Sequence, residues 1–98
     1  MLPYYEYVNH MLRAYFARDE DSAQSEVEKT NRAACDRILR RTADKDREIL
    51  MQVFARSDRS ELGAAVRICA EQNKIAPRDV WRIIRTVSKE IARERGLI

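Results

Sequence analysis

Glycine and proline are scarce in this chain of 98 residues, which contains two of each. Because these residues form tight turns, their scarcity excludes a protein rich in loops and hairpins. β-Branched residues are also few, and no alternation of apolar and polar residues extends far enough for a strand of ordinary length. The sequence therefore predicts an all-α fold.

Long apolar runs are lacking as well. No stretch approaches the roughly 20 apolar residues that a membrane-spanning helix needs. The first segment, MLPYYEYVNHMLRAYFARDE, has neither a basic start nor a continuous apolar run, so we expect no signal peptide. These features predict a cytoplasmic protein that does not associate with membranes.

Residue patterns that support catalysis or metal binding are rare. His10 is the one histidine, and its apolar and aromatic neighbours favour a packing or surface role. Cys35 and Cys69 form no CxxC pair and fall in helical apolar patterns, which predicts buried, reduced thiols. No glycine-rich phosphate loop or Cys/His metal spacing occurs. We expect no enzymatic activity, no cofactor and no metal.

Charge is distributed unevenly, although the net charge is only +3. Residues 1–36 contain four basic and seven acidic residues, a net charge of −3. Residues 37–98 contain fifteen basic and nine acidic residues, a net charge of +6. A basic segment is typical of nucleic-acid-binding proteins, but a highly charged surface also keeps a small helical protein soluble. Charge alone leaves both interpretations open.

Apolar periodicity predicts five helices in a single domain, with residues 1–41 forming an N-terminal pair and residues 42–98 the other three. Proline is expected in the first turn of the first and last helices, Ser or Thr as caps, and glycine after the last helix. The predicted helices are Pro3 to Arg18, Ser25 to Arg41, a third capped by Thr42, a fourth capped by Ser60 and reaching about Gln72, and a fifth from Pro77 to Gly96.

Each predicted helix has an apolar face that should pack inward. Trp81 lies just beside this face on the fifth helix, which indicates partial burial. The expected inward residues, in helix order, are Tyr4, Val8, Met11, Leu12 and Tyr15 with Tyr5 and Phe16; Val27, Ala34, Cys35, Ile38 and Leu39; Ile49, Leu50, Val53 and Phe54; Leu62, Val66, Cys69 and Ala70; and Val80, Ile83, Ile84, Val87 and Ile91.

The aromatic residues of the first helix permit more than one interpretation. They could pack as ordinary core over the C-terminal helices, or they could form a homodimer surface, since aromatic residues are enriched in interface cores. Stacking on single-stranded nucleic acid is less compatible with the acidic charge of this half. The residues concerned are Tyr4, Tyr5, Tyr7, Tyr15 and Phe16.

The residues from Ala70 to Val80 have the spacing of a helix-turn-helix motif. Such a motif needs a small residue where its helices cross, a buried apolar residue after a tight turn, and a buried aliphatic residue in the second helix. Ala70, Ile75 and Val80 occupy these positions. Lys74 replaces the usual glycine and Ala76 the usual Ser or Thr cap. Antiparallel helix pairs with no DNA role also produce this spacing.

The outward face of the fifth helix is predicted to be basic. It carries Arg78, Arg82, Arg85 and Lys89, with Asp79 and Thr86 beside them. In a helix-turn-helix motif the N-terminal turns of the second helix enter the major groove, which places Arg78 and Arg82 nearest to base edges. The residues better placed for phosphates are Arg85, Lys89, Arg67 and Lys74. The alternative is a solvated face in which Glu90 and Glu94 pair with some of these cations.

Two segments resemble region 4 of sigma-70-type factors. DKDREIL, from Asp44 to Leu50, is similar to that family's helix opening, and AEQNKIAPRDVWRII, from Ala70 to Ile84, to its turn and recognition helix. The resemblance covers about residues 38–95. It implies a DNA-binding helix-turn-helix unit with base contacts at Pro77, Arg78 and Arg82, although the side chain of Pro77 cannot donate a hydrogen bond.

The first forty residues match nothing in that family, and the chain has no counterpart of the domain that reads the −10 element. A full initiation factor is therefore not expected. Small proteins of this kind resemble prophage regulators of Gram-positive bacteria, so we expect a transcriptional regulator that binds double-stranded DNA. Two alternatives stay open: a phage packaging protein that uses the same motif, and a helical adaptor that binds RNA polymerase or another protein without DNA contact.

Overall fold

The computed structural model describes residues 4–17, 25–56 and 62–98. These ranges contain no strand, and the predicted all-α fold is confirmed. The predicted roles of Pro3, Arg18 and Ser60 lie outside the described residues. Within them, no helix is long and apolar enough to cross a membrane. The five helices are α1 (Tyr5–Ala17), α2 (Glu26–Arg41), α3 (Asp44–Arg56), α4 (Leu62–Asn73) and α5 (Pro77–Arg95).

The ends of α2 follow from two hydroxyl side chains. The hydroxyl of Ser25 accepts a hydrogen bond from the backbone N–H of Glu28 at 3.1 Å, as expected for an N-cap. The hydroxyl of Thr42 donates to the carbonyl of Ile38 at 2.8 Å. The prediction that Thr42 caps α3 is therefore wrong. Its hydroxyl belongs to α2, and the carbonyl of Ala43 accepts the first hydrogen bond of α3.

A single hydrophobic core joins all five helices. α2 and α5 pack against each other, so the two predicted parts of the chain share this core. Burial of each large apolar side chain stabilises the fold by roughly 1.5–3 kcal/mol. The largest fully buried side chains are Phe54, Leu12, Ile38, Leu39, Ile49, Leu50, Ile84, Ile91, Val8, Val53, Val66 and Val80.

The predicted inward faces are confirmed except near their margins. Val27 is 53% exposed, because the buried residues of α2 begin only at Ala34 and none of the described helices covers the first turn. Leu62 and Ile83 are only partly buried, although both pack against the core. Helical periodicity identifies the direction of an apolar face, whereas the neighbouring helices decide how far along the helix it is covered.

The two thiols lie inside the core, as predicted. Cys35 is fully buried, Cys69 is 2% exposed, and neither forms a disulfide. Burial raises the pKa of the Cys35 thiol to about 12, because the apolar surroundings disfavour the thiolate. Cys35 is therefore protonated at neutral pH and serves as a small apolar side chain.

Polar contacts fix the C-terminal end of α5 against α1 and α2. Arg37 pairs with Glu94 at 2.9 Å. The Nε of Arg95 donates to Asn31 Oδ1 at 2.7 Å, and Asn31 Nδ2 donates to the Tyr7 hydroxyl at 3.0 Å. The opposite end of α5, which follows the turn from α4, has no such tie among the described residues and is bordered by basic side chains.

Candidate nucleic-acid interface

The turn between α4 and α5 is a Schellman motif. The N–H of Ile75 donates to the carbonyl of Ala70 at 3.0 Å, and the N–H of Lys74 donates to the carbonyl of Glu71 at 3.2 Å. Lys74 has φ 56°, in the left-handed region that favours glycine. The sequence places Lys74 where glycine is most common, and the backbone has the conformation for which glycine is selected.

Two of the three residues expected to pack the two helices together are buried as predicted. Ala70 is 1% exposed and Val80 is fully buried, whereas Ile75 is partly buried and packs against the core. Ala76 provides no side-chain hydrogen bond to α5, and Pro77 occupies its first turn. Proline fits this position because its missing N–H would have no partner within the helix. The start of α5 thus has no side-chain cap and depends on backbone geometry.

A polar cluster connects the end of α4 to α3. The side-chain amide of Asn73 donates to Gln52 Oε1 at 2.8 Å and to the Cys69 carbonyl at 2.7 Å. The Cys69 thiol lies 3.4 Å from the same Gln52 oxygen. Because Asn73 immediately precedes the left-handed residue, this cluster holds the start of the turn in place. Sequence reasoning missed it, since Gln52 and Asn73 are distant along the chain.

The predicted cations of α5 share one exposed face. At about 100° per residue they fall within an arc of roughly 60°, opposite the buried stripe. No hydrogen bond or ion pair joins the side chains of Arg78, Arg85 or Lys89 to another described residue, and the same holds for the side chains of Arg67 and Lys74. All seven predicted interface residues are exposed except Asp79, which is partly buried; they are Arg67, Lys74, Arg78, Asp79, Arg82, Arg85 and Lys89.

Asp79 contacts one of these cations. One of its carboxylate oxygens lies 3.5 Å from a guanidinium nitrogen of Arg82, whose side chain is 72% exposed. An exposed pair of this kind contributes only about 0–1 kcal/mol, so Arg82 can exchange Asp79 for another anion at small cost. Glu94 pairs with Arg37 of α2, so it does not neutralise the cations on the α5 face.

Other helices border the basic face on two sides. On one side, Tyr5 of α1 lies near Arg85. Burial raises the pKa of the Tyr5 hydroxyl, and the positive charge of Arg85 opposes part of that rise. On the other side, the α2–α3 junction and α5 form a cleft that includes Arg41, Thr42, Arg82 and Thr86. Arg41 was not predicted as part of the site, because the run Arg40–Arg41 does not reveal which arginine lies beside α5.

The aromatic residues of α1 and the preceding Tyr4 pack mainly within the chain. Tyr4 is 9% exposed, and Tyr5, Tyr15 and Phe16 are partly buried against the core. Tyr7 is exposed, and its hydroxyl accepts from Asn31. This arrangement favours the core interpretation of these residues; a homodimer through α1 stays a prediction.

A separate groove lies between α1, α2 and α3, with a volume of ≈ 870 Å³. Its apolar lining includes Tyr15 and Phe16, whose rings meet edge to face at 5.3 Å, and the exposed side chain of Met51. The charged residues of its lining have both signs, which does not favour nucleic acid; they are Lys29, Arg32, Asp36, Asp44, Arg47 and Glu48.

The chain was compared with models of known protein families, with curated proteins and with solved structures, and none of the three comparisons found a match.

Proposed function

We propose that this protein binds double-stranded DNA through α4, the Lys74 turn and α5, and regulates transcription, as a small regulator similar to region 4 of sigma-70-type factors. A prophage or mobile element is the proposed source. The N-terminal turns of α5 would enter the major groove. The single observation that carries the proposal is the exposed face of Arg78, Arg82, Arg85 and Lys89 on a helix that directly follows a tight turn.

The dimensions of α5 suit this role. A helix with its side chains is about 10–12 Å wide, and the major groove is about 12 Å wide. At 1.5 Å per residue, the 19 residues of α5 span about 28 Å, long enough for its first turns to enter the groove while its end stays attached to α2.

The roles of the cations follow from their position along α5. Arg78 and Arg82 lie in the first two turns, so they are assigned to base edges, where a guanidinium can pair with guanine O6 and N7. Arg85 and Lys89 lie further along, and they are assigned to phosphates together with Arg67 and Lys74. Asp79 would orient Arg82 until DNA replaces it, or accept a hydrogen bond from a cytosine amino group.

Labelled duplex DNA and a salt titration test the proposal directly. First, the duplexes that the wild-type protein prefers are selected. We expect the Arg78→Ala, Arg82→Ala double variant to bind these duplexes more weakly and to lose the preference for them over other sequences. The matched control is Lys29→Ala with Arg40→Ala. It removes two positive charges from α2, one on Lys29 in the lining of the groove beside α1 and one on Arg40, which pairs with Asp36 of that lining. The control should retain both affinity and preference.

Two results would contradict the proposal. If the wild-type protein does not bind duplex DNA, or binds it with an affinity that does not fall as salt rises, it does not use the basic face on DNA. If it binds but both double variants weaken binding equally, the attraction is a general effect of net charge, and α5 is not the recognition helix.

The groove beside α1 favours a second candidate, an adaptor that binds a protein such as RNA polymerase. Tyr15, Phe16 and Met51 provide the apolar centre and charged residues the rim, a composition common in protein interfaces. Met51→Glu should abolish such binding without changing DNA affinity. A phage packaging role would require the same DNA contacts, and no feature of the described residues favours it.

A further inference from the structure

The cleft between the α2–α3 junction and α5 brings a cation from a distant part of the chain to the border of the basic face. Arg41 ends α2, and Arg82 belongs to α5, yet both line this cleft together with the hydroxyl-bearing Thr42 and Thr86. Arg41 is exposed, and its side chain makes no hydrogen bond or ion pair with any described residue. Its neighbour in sequence, Arg40, is paired with Asp36 at 2.9 Å.

We infer that Arg41 forms a second DNA contact, on the phosphate backbone that borders the major groove occupied by α5. This inference rests on the proposed function and extends it to the N-terminal part of the chain. When a helix fills the major groove, the phosphates of one strand lie along each side of it. A cation beside the Arg82 side of α5 therefore meets that backbone, where Lys and Arg supply affinity without reading sequence.

Two acidic residues near Arg41 bear on this contact with phosphate. Asp46 and Glu90 line the same cleft, and Glu90 also borders the adjoining cleft between Arg41 and Arg93. Asp46 lies in the first turn of α3, where the helix dipole stabilises it, whereas Glu90 is exposed on α5. Glu90 should repel a phosphate at Arg41, so its removal should strengthen binding.

The position of Arg41 in the last turn of α2 also has a structural explanation, since a cation at a helix C-terminus interacts favourably with the dipole. Arg40 lies in the same turn and receives the same benefit. It pairs with Asp36, which lines the groove beside α1 and whose other carboxylate oxygen accepts from Tyr15 of α1. Arg40→Ala is therefore the matched control for Arg41→Ala.

The experiment measures affinity of the full chain for one duplex with a selected site and one without it, from about 50 to about 200 mM salt. We expect Arg41→Ala to weaken both duplexes by the same factor. Because one phosphate contact changes log affinity by about 0.9 per unit of log salt, the deficit should shrink about 3.5-fold across this range. Arg40→Ala should bind as the wild type, Arg41→Lys should retain most affinity, and Glu90→Gln should bind both duplexes more tightly.

Specific outcomes would overturn the inference. If Arg41→Ala and Arg40→Ala have the same affinity and salt slope, Arg41 makes no phosphate contact. If Arg41→Ala changes the preference between duplexes, Arg41 reads bases instead. In either case the loss of preference in the Arg78→Ala, Arg82→Ala variant still supports α5 as the recognition helix, so the two proposals fail separately. Thermal unfolding of each variant identifies any loss of affinity that comes from unfolding.

Discussion

Lys74 is a lysine in a backbone conformation that glycine adopts at lower cost, and the same motif occurs a second time in this chain. At the end of α5, the N–H of Leu97 donates to the carbonyl of Ala92, and Gly96 has φ 79°. Both turns are Schellman motifs, but one has lysine and the other glycine at the left-handed position. Reciprocal substitutions at Lys74 and Gly96 therefore measure the same conformational energy in opposite directions.

Two opposing effects set the change in the free energy of unfolding at Lys74. A left-handed conformation costs a residue with a Cβ roughly 1–2 kcal/mol. Replacing lysine by glycine removes this cost but adds freedom to the unfolded chain, which opposes stability by roughly 0.5–1 kcal/mol. We expect Lys74→Gly to increase the free energy of unfolding by about 0.5–1 kcal/mol, which corresponds to a Tm increase of about 2–8 °C in a domain of this size.

Two matched variants separate conformation from charge. Lys74→Ala removes the same charge but retains the Cβ, so it should not gain the stability of Lys74→Gly. Gly96→Ala should lower the free energy of unfolding by about 1 kcal/mol. A Cβ at Gly96 would meet no atom within 4 Å beyond its two chain neighbours, so this loss would report backbone conformation without a steric clash.

Unfolding by heat and by urea, followed by helical circular dichroism and by the fluorescence of Trp81, measures these differences. Trp81 is the one tryptophan and is partly buried in α5, so its emission reports the helix that follows the turn. If Lys74→Gly and Lys74→Ala have equal stability, the left-handed backbone at Lys74 costs no more than the freedom that glycine adds to the unfolded chain, and the predicted gain is refuted. DNA affinity of the same two variants should fall equally, because both lose the cation.

Three further predictions concern the core and the polar cluster. Above about pH 9, Cys35 should lower the free energy of unfolding by up to about 1.4 kcal/mol per pH unit, because its pKa rises from 9.0 to about 12 on folding and only the unfolded thiol loses its proton between these values. In urea titrations, Cys35→Ala should show a shallower decline with pH, and an unchanged decline would contradict this. Ile84→Ala should lower the free energy of unfolding by about 2–5 kcal/mol because Ile84 is fully buried, whereas Ile68→Ala should lower it by less than about 1 kcal/mol because Ile68 is 45% exposed. Equal losses in chemical denaturation would show that Ile84 is not in the core. Gln52→Ala should lower the free energy of unfolding by about 1–3 kcal/mol, because it leaves the Asn73 amide without one acceptor. Amide hydrogen exchange in the α4–α5 turn should then become faster, and an unchanged exchange rate would show that the polar cluster does not hold the turn.

Much of the candidate site could be predicted from local rules. The exposed face with Arg78 and Arg82 follows from the 3.6-residue period once Val80 and Ile84 are assigned to the core. Its use on DNA is still a prediction, because periodicity identifies an exposed basic face but not the molecule that binds it. The pairing of Asp79 with Arg82 was not predicted, although a separation of three residues on a helix favours such pairs.

By itself the sequence determined the all-α class, the ends of α2 and α5 near Ser25 and Gly96, and the direction of each apolar face, because caps, left-handed turns and periodicity act within a few residues. Only the tertiary structure decided that Val27 is exposed and that Arg41 lies beside Arg82. The physical reason is the same for both residues. Burial and the meeting of side chains depend on which helices pack together, and that is set by the whole core and not by neighbours along the chain.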